Sequence, residues 1–153
     1  VKRPWGLDRF HAKWIIKWMS RINIWLYRVS GGRLFGTMAG APILLLTTTG
    51  RKSGLPRTKP VLYLRDGDDL VVVASVGGQA KHPLWLKNLQ ADPHVSVLVR
   101  RERSERTARV VPDQERETLW PRLVAMYGAF DLYQSWTPRQ IQVVVLSRLT
   151  TPD

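Results

Sequence analysis

Residues 43–75 read ILLLTTTGRKSGLPRTKPVLYLRDGDDLVVVAS, and their pattern decides the fold. Ile43–Thr49 is an aliphatic and β-branched run of strand length. Thr58–Leu64 alternates, Leu70–Ser75 is aliphatic, and Asp66-Gly67-Asp68-Asp69 between them is a turn signal, so these two runs are predicted to form a hairpin. Further along, Val95–Arg100 and Arg106–Val111 repeat the pattern, and Gln142–Leu149 supplies a last strand. Helices are predicted over 8–29, 83–91 and 113–127, with Asp92-Pro93 ending the second and acidic residues opening the third; Trp136–Gln140 adds a turn. Six strands with hairpin connections point to a mostly β fold, a six-stranded antiparallel barrel with flanking helices. Long helices do not alternate with the strands, which argues against a doubly wound parallel sheet.

The chain of 153 residues is expected to form one compact domain with a real core. Its 24 Lys and Arg against 12 Asp and Glu give a net charge of +12, which calls for an anionic partner: nucleic acid, an acidic membrane surface or a polyanionic small molecule. The absence of Cys excludes a disulfide scaffold, a thiolate metal site, an iron–sulfur cluster and a Cys nucleophile. No stretch reaches the ~20 apolar residues of a membrane span. Lys13, Lys17 and Arg21 interrupt the first hydrophobic segment, so no cleavable signal is expected. The expected location is the cytoplasm, or the inner face of the cell membrane as a peripheral protein.

Charge is concentrated at the start. Residues 1–36 hold eight basic side chains against one acid, Asp8, together with four of the seven Trp. On a helix over 8–29, Lys13, Lys17, Arg21 and Arg28 fall in one arc, while Trp14, Trp18, Ile22, Trp25 and Val29 lie on the other side. Such a helix suits an anionic membrane surface, and it equally suits packing on the domain or over a pocket. Residues 1–30 are therefore read as a basic amphipathic helix, 31–42 as a linker rich in Gly and small residues, and 43–150 as the barrel domain.

The phosphate-loop, dinucleotide, nucleophile-elbow and HExxH motifs are absent, no carboxylate pair stands out, and His11, His82 and His94 sit in unrelated contexts, so no metal site is expected. Three elements remain. Thr47–Arg57 frames Arg51, Lys52 and Arg57 with two glycines, suited to an oligoanion or simply a basic hairpin loop. Val73–Gly78 feeds the helix of His82–Leu89, where a Gly pair allows close approach of a flat ring, and Trp85 and Asn88 lie one turn apart. Tyr127, Phe130, Tyr133 and Trp136 recur every three residues, as core or as the wall of a pocket for a planar substrate.

Taken together, KWMSRIN (17–23), LLTTTGRKSGLPR (45–57), ASVGG (74–78), HPLWLKNL (82–89), Met126-Tyr127 and YQSWT (133–137) resemble the deazaflavin-dependent nitroreductases of actinobacteria. These are split-barrel reductases, related to FMN-binding split barrels, that use the 5-deazaflavin coenzyme F420. The resemblance spans nearly the whole chain. It implies cofactor contacts at Arg51, Lys52, Ser53 and Arg57 for the phosphate and oligoglutamate tail, and at Pro60, Val73, Ala74, Ser75, Val76, Gly77 and Gly78 near the ring. Leu84, Trp85, Asn88 and Phe130 are implied as further contacts. It also implies a substrate pocket of Trp18, Tyr127, Phe130 and Tyr133, with Ser75, Tyr127 and Tyr133 as catalytic residues. A mycobacterial member that activates bicyclic nitroimidazole prodrugs has Tyr in place of Phe130 and Lys in place of Val76; the lost hydroxyl bears on prodrug activation more than on cofactor binding. The implied reaction is hydride transfer from reduced F420 to a quinone, nitro-aromatic or similar electron-poor acceptor. An FMN-dependent split-barrel oxidoreductase is the alternative enzyme, and a nucleic-acid- or anionic-surface-binding protein the alternative of another class.

Overall fold

The computed structural model describes residues 9–75 and 81–149, with only the helical backbone described for 9–19. In chain order the elements are α1 (Arg9–Ser30), β1 (Thr37–Met38), β2 (Ala41–Thr49), β3 (Pro56–Asp66), β4 (Asp69–Val73), α2 (Leu84–Ala91), β5 (His94–Val99), β6 (Glu102–Val110), α3 (Asp113–Met126), α4 (Ala129–Ser135) and β7 (Val143–Arg148). The six long strands pair in the order β2-β3-β4-β7-β6-β5, and β5 returns to β2, closing an antiparallel barrel. The expected fold class holds. β1 pairs with the start of β2 outside the barrel. Neither β1 nor α4 was predicted as an element, and β2 begins at Ala41, two residues before the predicted start.

Alternation along the strands builds two cores. Leu44, Leu46, Tyr63, Leu70, Val72 and Val144 turn into the barrel, where Leu86 and Leu89 of α2 join them. Leu62, Val71, Val73, Val143 and Val145 turn outward beneath Leu119 and Leu123 of α3 and Phe130 of α4. β4 and β7 are thus buried on both faces, which is why they read as unbroken Val and Leu runs. Each such side chain contributes about 1.5–3 kcal/mol relative to exposure. Arg106 shares the inward face with Ala108 and is 2% exposed. Its guanidinium donates to the Asp68 and Leu146 carbonyls (2.8 and 2.9 Å) and to Ser104 Oγ (3.0 Å), which compensates the charge at that end of the barrel.

The β2–β5 seam is fastened by α1. The Tyr27 hydroxyl accepts the Arg100 N–H (2.7 Å) and donates to the Ile43 carbonyl (3.0 Å), with the Leu98 carbonyl also at 3.3 Å. One phenol therefore joins α1 to both strands of the seam and to the β5–β6 turn. Gly32 ends the helix at φ +79°, and a Cβ there would lie 3.0 Å from the Arg100 Cα and 3.3 Å from the Tyr27 ring. Among the described residues of the same helix, Ile22, Trp25 and Val29 form an exposed apolar stripe. No helix among the described residues is long and apolar enough to cross a membrane.

Tyr27→Phe leaves the Arg100 N–H without its acceptor. It is expected to lower unfolding stability by about 1–2 kcal/mol, read as a lower urea midpoint at unchanged m-value.

Candidate active site

The ladder between β3 and β4 runs from Asp66 and Asp69 to Tyr63 and Val72 and stops there. Beyond that point β3 continues along β2 alone, from Leu62 to Pro56. The strands part, and a groove opens in the gap. One end is a cavity of about 420 Å³ lined by Lys59–Leu62 of β3, Val73 and Ser75 across the gap, Pro83–Trp85 at the start of α2, and Tyr127, Phe130 and Tyr133. The other end, about 460 Å³, is lined by the turn Gly50–Ser53, Arg57, Lys59, Leu84, Trp85 and Asn88. Lys59, Leu84 and Trp85 belong to both, so the two cavities form one groove.

The cationic end is held by its own hydrogen bonds. Asn88 is 7% exposed; its amide donates to Thr48 Oγ1 (3.1 Å) and its Oδ1 accepts the Arg51 N–H (3.2 Å), so α2 fixes the start of the turn. The Gly50 and Leu55 backbones bond at 2.8 Å, and a Cβ on Gly50 would meet Ser53 Oγ at 2.6 Å. Ser53 Oγ accepts the Leu55 N–H (3.2 Å) and lies 3.5 Å from the Arg57 guanidinium. Among the described residues no carboxylate pairs with Arg51, Lys52, Arg57 or Lys59, whereas Arg109, Arg122 and Arg148 each have one. Uncompensated cations on a preformed loop are a receptor for an oligoanion.

At the other end Tyr127 and Tyr133 share a hydrogen bond of 2.9 Å between their hydroxyls. Burial, then the Tyr127 hydroxyl, push the Tyr133 phenol up to about 12, so it stays protonated at neutral pH. One hydroxyl donates to the other, leaving one O–H of the pair to donate into the cavity. Phe130 is 3% exposed and meets Tyr127 edge-on at 4.9 Å, supporting the tyrosine rather than offering much surface itself. Ala74 turns its methyl into the barrel core and lines neither cavity. Val76, Gly77 and Gly78 lie outside the described residues, and of Trp18 only the helical backbone is described. The remaining expected site residues come together along the groove.

Sequence reading missed Lys59 and Arg139. Lys59 shares a β3 face with Arg57, a period-two signal that was available. Arg139 donates to the Ala74 and Ser75 carbonyls (3.1 and 3.0 Å) and to His82 Nδ1 (3.2 Å), joining the end of β4 to the approach to α2. Its loop is braced in turn: Gln134 accepts from the Arg116 guanidinium (3.0 Å) and the Ile141 N–H (2.9 Å) and donates to the Arg139 carbonyl (2.8 Å). Burial, then the charges of Arg139 and Lys87, hold the His82 imidazole below its ordinary value.

Residues 18–148 match the family described as F420H(2)-dependent quinone reductase. The chain belongs to this family. It is 42% identical over 135 residues, covering 85% of this chain and 90% of the relative, to the F420H(2)-dependent quinone reductase Rv1261c of Mycobacterium tuberculosis. The solved F420-H2 dependent reductase FDR-A superposes with a TM-score of 0.65 at 40% identity, covering 69% of this chain and 94% of that one. A further solved structure, described as a domain-swapped dimer, has a TM-score of 0.67 at 35% identity and covers 89% of this chain and 98% of that one. This quinone reductase family member is an oxidoreductase whose coenzyme is F420, not FMN. The groove fits such a group: a mainly apolar end beside Trp85 and Ser75 continues into an end whose cations lack counter-ions among the described residues.

The His82 contact has a pH signature. A His held neutral in the folded state costs stability once the unfolded chain protonates, so stability is full above pH 6.5 and falls below it. His82→Asn keeps an acceptor and does not titrate; it is expected to flatten the drop in Tm between about pH 7.5 and about pH 5.5. Glu105 and Glu115, lowered by hydrogen bonds to His94 and Arg109, contribute only below their ordinary 4.5, outside this window.

Proposed function

We propose that the cationic end of the groove holds the phosphate and oligoglutamate of F420, that its ring lies beside Ser75 and Trp85, and that a quinone occupies the tyrosine-lined end. The observation that supports this reading is the sharing of Lys59, Leu84 and Trp85 by the two cavities, which brings a cationic end and a mainly apolar end within reach of one elongated ligand. Electron-poor nitro-aromatics would occupy the same end.

When bound, reduced F420 supplies a hydride. The protein orients, desolvates and protonates. Arg51, Lys52, Arg57 and Lys59 fix the anionic tail through charge-assisted bonds. The start of α2 adds the partial positive charge of its free N–H groups. Arg139 fixes the Ser75 carbonyl, so the Ser75 side chain enters the cavity from an immobilised backbone and can donate to an acceptor oxygen. The Tyr127–Tyr133 pair presents its remaining O–H to the quinone oxygen on which negative charge develops, and Tyr133, its phenol pushed up to about 12, donates rather than abstracts.

We also infer that α1 rests on an anionic membrane surface. Ile22, Trp25 and Val29 are exposed on one stripe, Trp25 at 61%, with Arg21, Arg28 and Arg33 exposed nearby. Apolar area beside cations, with no acidic side chain on the helix after residue 8, is the chemistry of interfacial binding.

Arg57→Ala is expected to raise the Kd for F420 by about tenfold to a hundredfold, followed by coenzyme fluorescence; an unchanged Kd removes Arg57 from the site. Tyr133→Phe should lower kcat for menadione reduction by about tenfold or more while leaving the F420 Kd in place. Absence of turnover with every quinone tried, at saturating reduced F420, would defeat the functional reading. Trp25→Ser should reduce co-sedimentation with anionic vesicles several-fold and leave menadione reduction unaltered; equal sedimentation with anionic and neutral vesicles would rule out the membrane contact.

A further inference from the structure

Three walls of the tyrosine-lined cavity come from stretches far apart in the chain: Ser75 after β4, Pro83–Trp85 at the start of α2, and Tyr133 on α4. Arg139 joins all three. Its Nη2 donates to the Ser75 carbonyl (3.0 Å), and its Nη1 lies 3.1 Å from the Ala74 carbonyl and 3.2 Å from Nδ1 of His82, the residue before Pro83. The tie to α4 runs through the backbone: Gln134, next to Tyr133, donates to the Arg139 carbonyl (2.8 Å). The Arg139 N–H reaches Thr137 Oγ1 (3.4 Å), which holds the loop itself. That loop grips Ala74 from both sides, its N–H by the Gln142 carbonyl (2.9 Å) and its own carbonyl by Arg139. A planar guanidinium suits such a divergent set of acceptors, which an ammonium on a flexible stem does not reproduce.

His82 is the titratable member of this frame. A guanidinium only donates, so His82 Nδ1 is the acceptor, and the neutral ring carries its proton on Nε2. A second proton would remove that acceptor and set two cations 3.2 Å apart. The charged groups that act on His82 are Arg139 from the loop before β7 and Lys87 from α2, both cations; Ala74 and Ser75 bring no charge from the end of β4. Protonation therefore meets repulsion, and the group free to yield is the Arg139 side chain.

We propose that Arg139 and His82 are positioning residues for the acceptor site: together they set the Ser75 hydroxyl against the Tyr133 hydroxyl and the start of α2, and protonation of His82 releases that setting. Neither side chain lines the cavity, so both act through the residues they hold. This rests on the reading that an acceptor sits between Ser75 and the tyrosine pair, and it adds what keeps the two donors in register. A displacement of about 1 Å at such a site costs up to about a hundredfold in rate.

Two measurements on the full chain test this. On the coenzyme-free protein, NMR follows the His82 Cε1 proton and the Ser75 amide nitrogen, which shares a peptide with the Ala74 carbonyl, from about pH 8 to about pH 4.5. The Ser75 nitrogen should shift with the His82 midpoint, which burial and then the two cations hold below 6.5, and that step should vanish in His82→Asn. At saturating reduced F420 and menadione, the ratio of kcat at about pH 7.5 to kcat at about pH 5 should be at least about threefold larger in the wild type than in His82→Asn. Comparing the two proteins cancels the coenzyme's own titration. Arg139→Lys keeps the charge and loses the fork; it should lower kcat by about tenfold to a hundredfold and keep the F420 Kd within about twofold, because Asn88 and Thr48 hold the cationic end separately. A Ser75 nitrogen that ignores His82, equal kcat ratios, or a parallel loss of kcat and F420 affinity in Arg139→Lys would each overturn the proposal. If Arg139→Lys does not fold, His82→Asn carries the test in both measurements. If Ser75 follows His82 by NMR while no quinone is reduced at any pH, the Arg139 frame stands and the reductase reading fails.

Discussion

The parting of β3 from β4 beyond Tyr63 and Val72 is the constraint on which the site depends. A closed barrel satisfies its backbone by pairing each strand on both sides, and a gap leaves donors and acceptors that must be met otherwise. Pro60 sits in the parted stretch of β3 and brings no N–H to it. Across the gap, the Ala74 and Ser75 carbonyls are taken by the Arg139 guanidinium. α2 closes the barrel end with Leu86 and Leu89 and turns Leu84 and Trp85 into the groove. The groove is thus what remains after the gap has been stabilised from three directions, walled by β3, the start of α2 and the hydrogen-bonded turn Gly50–Ser53.

Charge follows from the same geometry. The net charge of +12 suggests a uniform attraction for polyanions, yet the structure sorts the cations by task. Arg106 is buried and spends its hydrogen bonds on carbonyls and Ser104, so its guanidinium makes no contact with a ligand in the groove. Arg109, Arg122 and Arg148 sit in surface pairs with Glu115, Asp66 and Glu102, each contributing no more than about 1 kcal/mol. The four cations of the groove have no such partner among the described residues, and they are the ones proposed to hold the anionic coenzyme tail.

Much of this was legible in the sequence. Period-two alternation and the Asp66–Asp69 turn gave the barrel strands, because inward and outward faces must differ in composition wherever one face meets solvent or a helix. The basic turn and the HPLWLKNL helix were visible as chemistry. What was not visible arises from closure. Arg139 reaches Ala74 and Ser75 because β7 pairs with β4, Val73 opposite Val143, and nothing in the local sequence around Pro138 announces that neighbour. Arg106 read as one of many charges on a hairpin; its inward position follows only from sharing a face with Ala108. α4, seven residues long, was too short for its periodicity to stand out, although the three-residue spacing of Tyr127, Phe130 and Tyr133 already carried its face. β1 is two residues long and exists only through its pairing with β2.

The two ligands of an F420-dependent quinone reductase have opposite solubilities, one polyanionic and one oily, and a single site must address both. β3 offers a simple physical solution. In its parted half, Arg57 and Lys59 lie on one face and Pro60 and Leu62 alternate with them toward the other. The first pair borders the cationic cavity; the second borders the tyrosine-lined one. Had β3 remained paired with β4 along this stretch, the gap that the groove occupies would be closed. On the proposed reading, coenzyme and acceptor would meet where the two cavities share Lys59, Leu84 and Trp85.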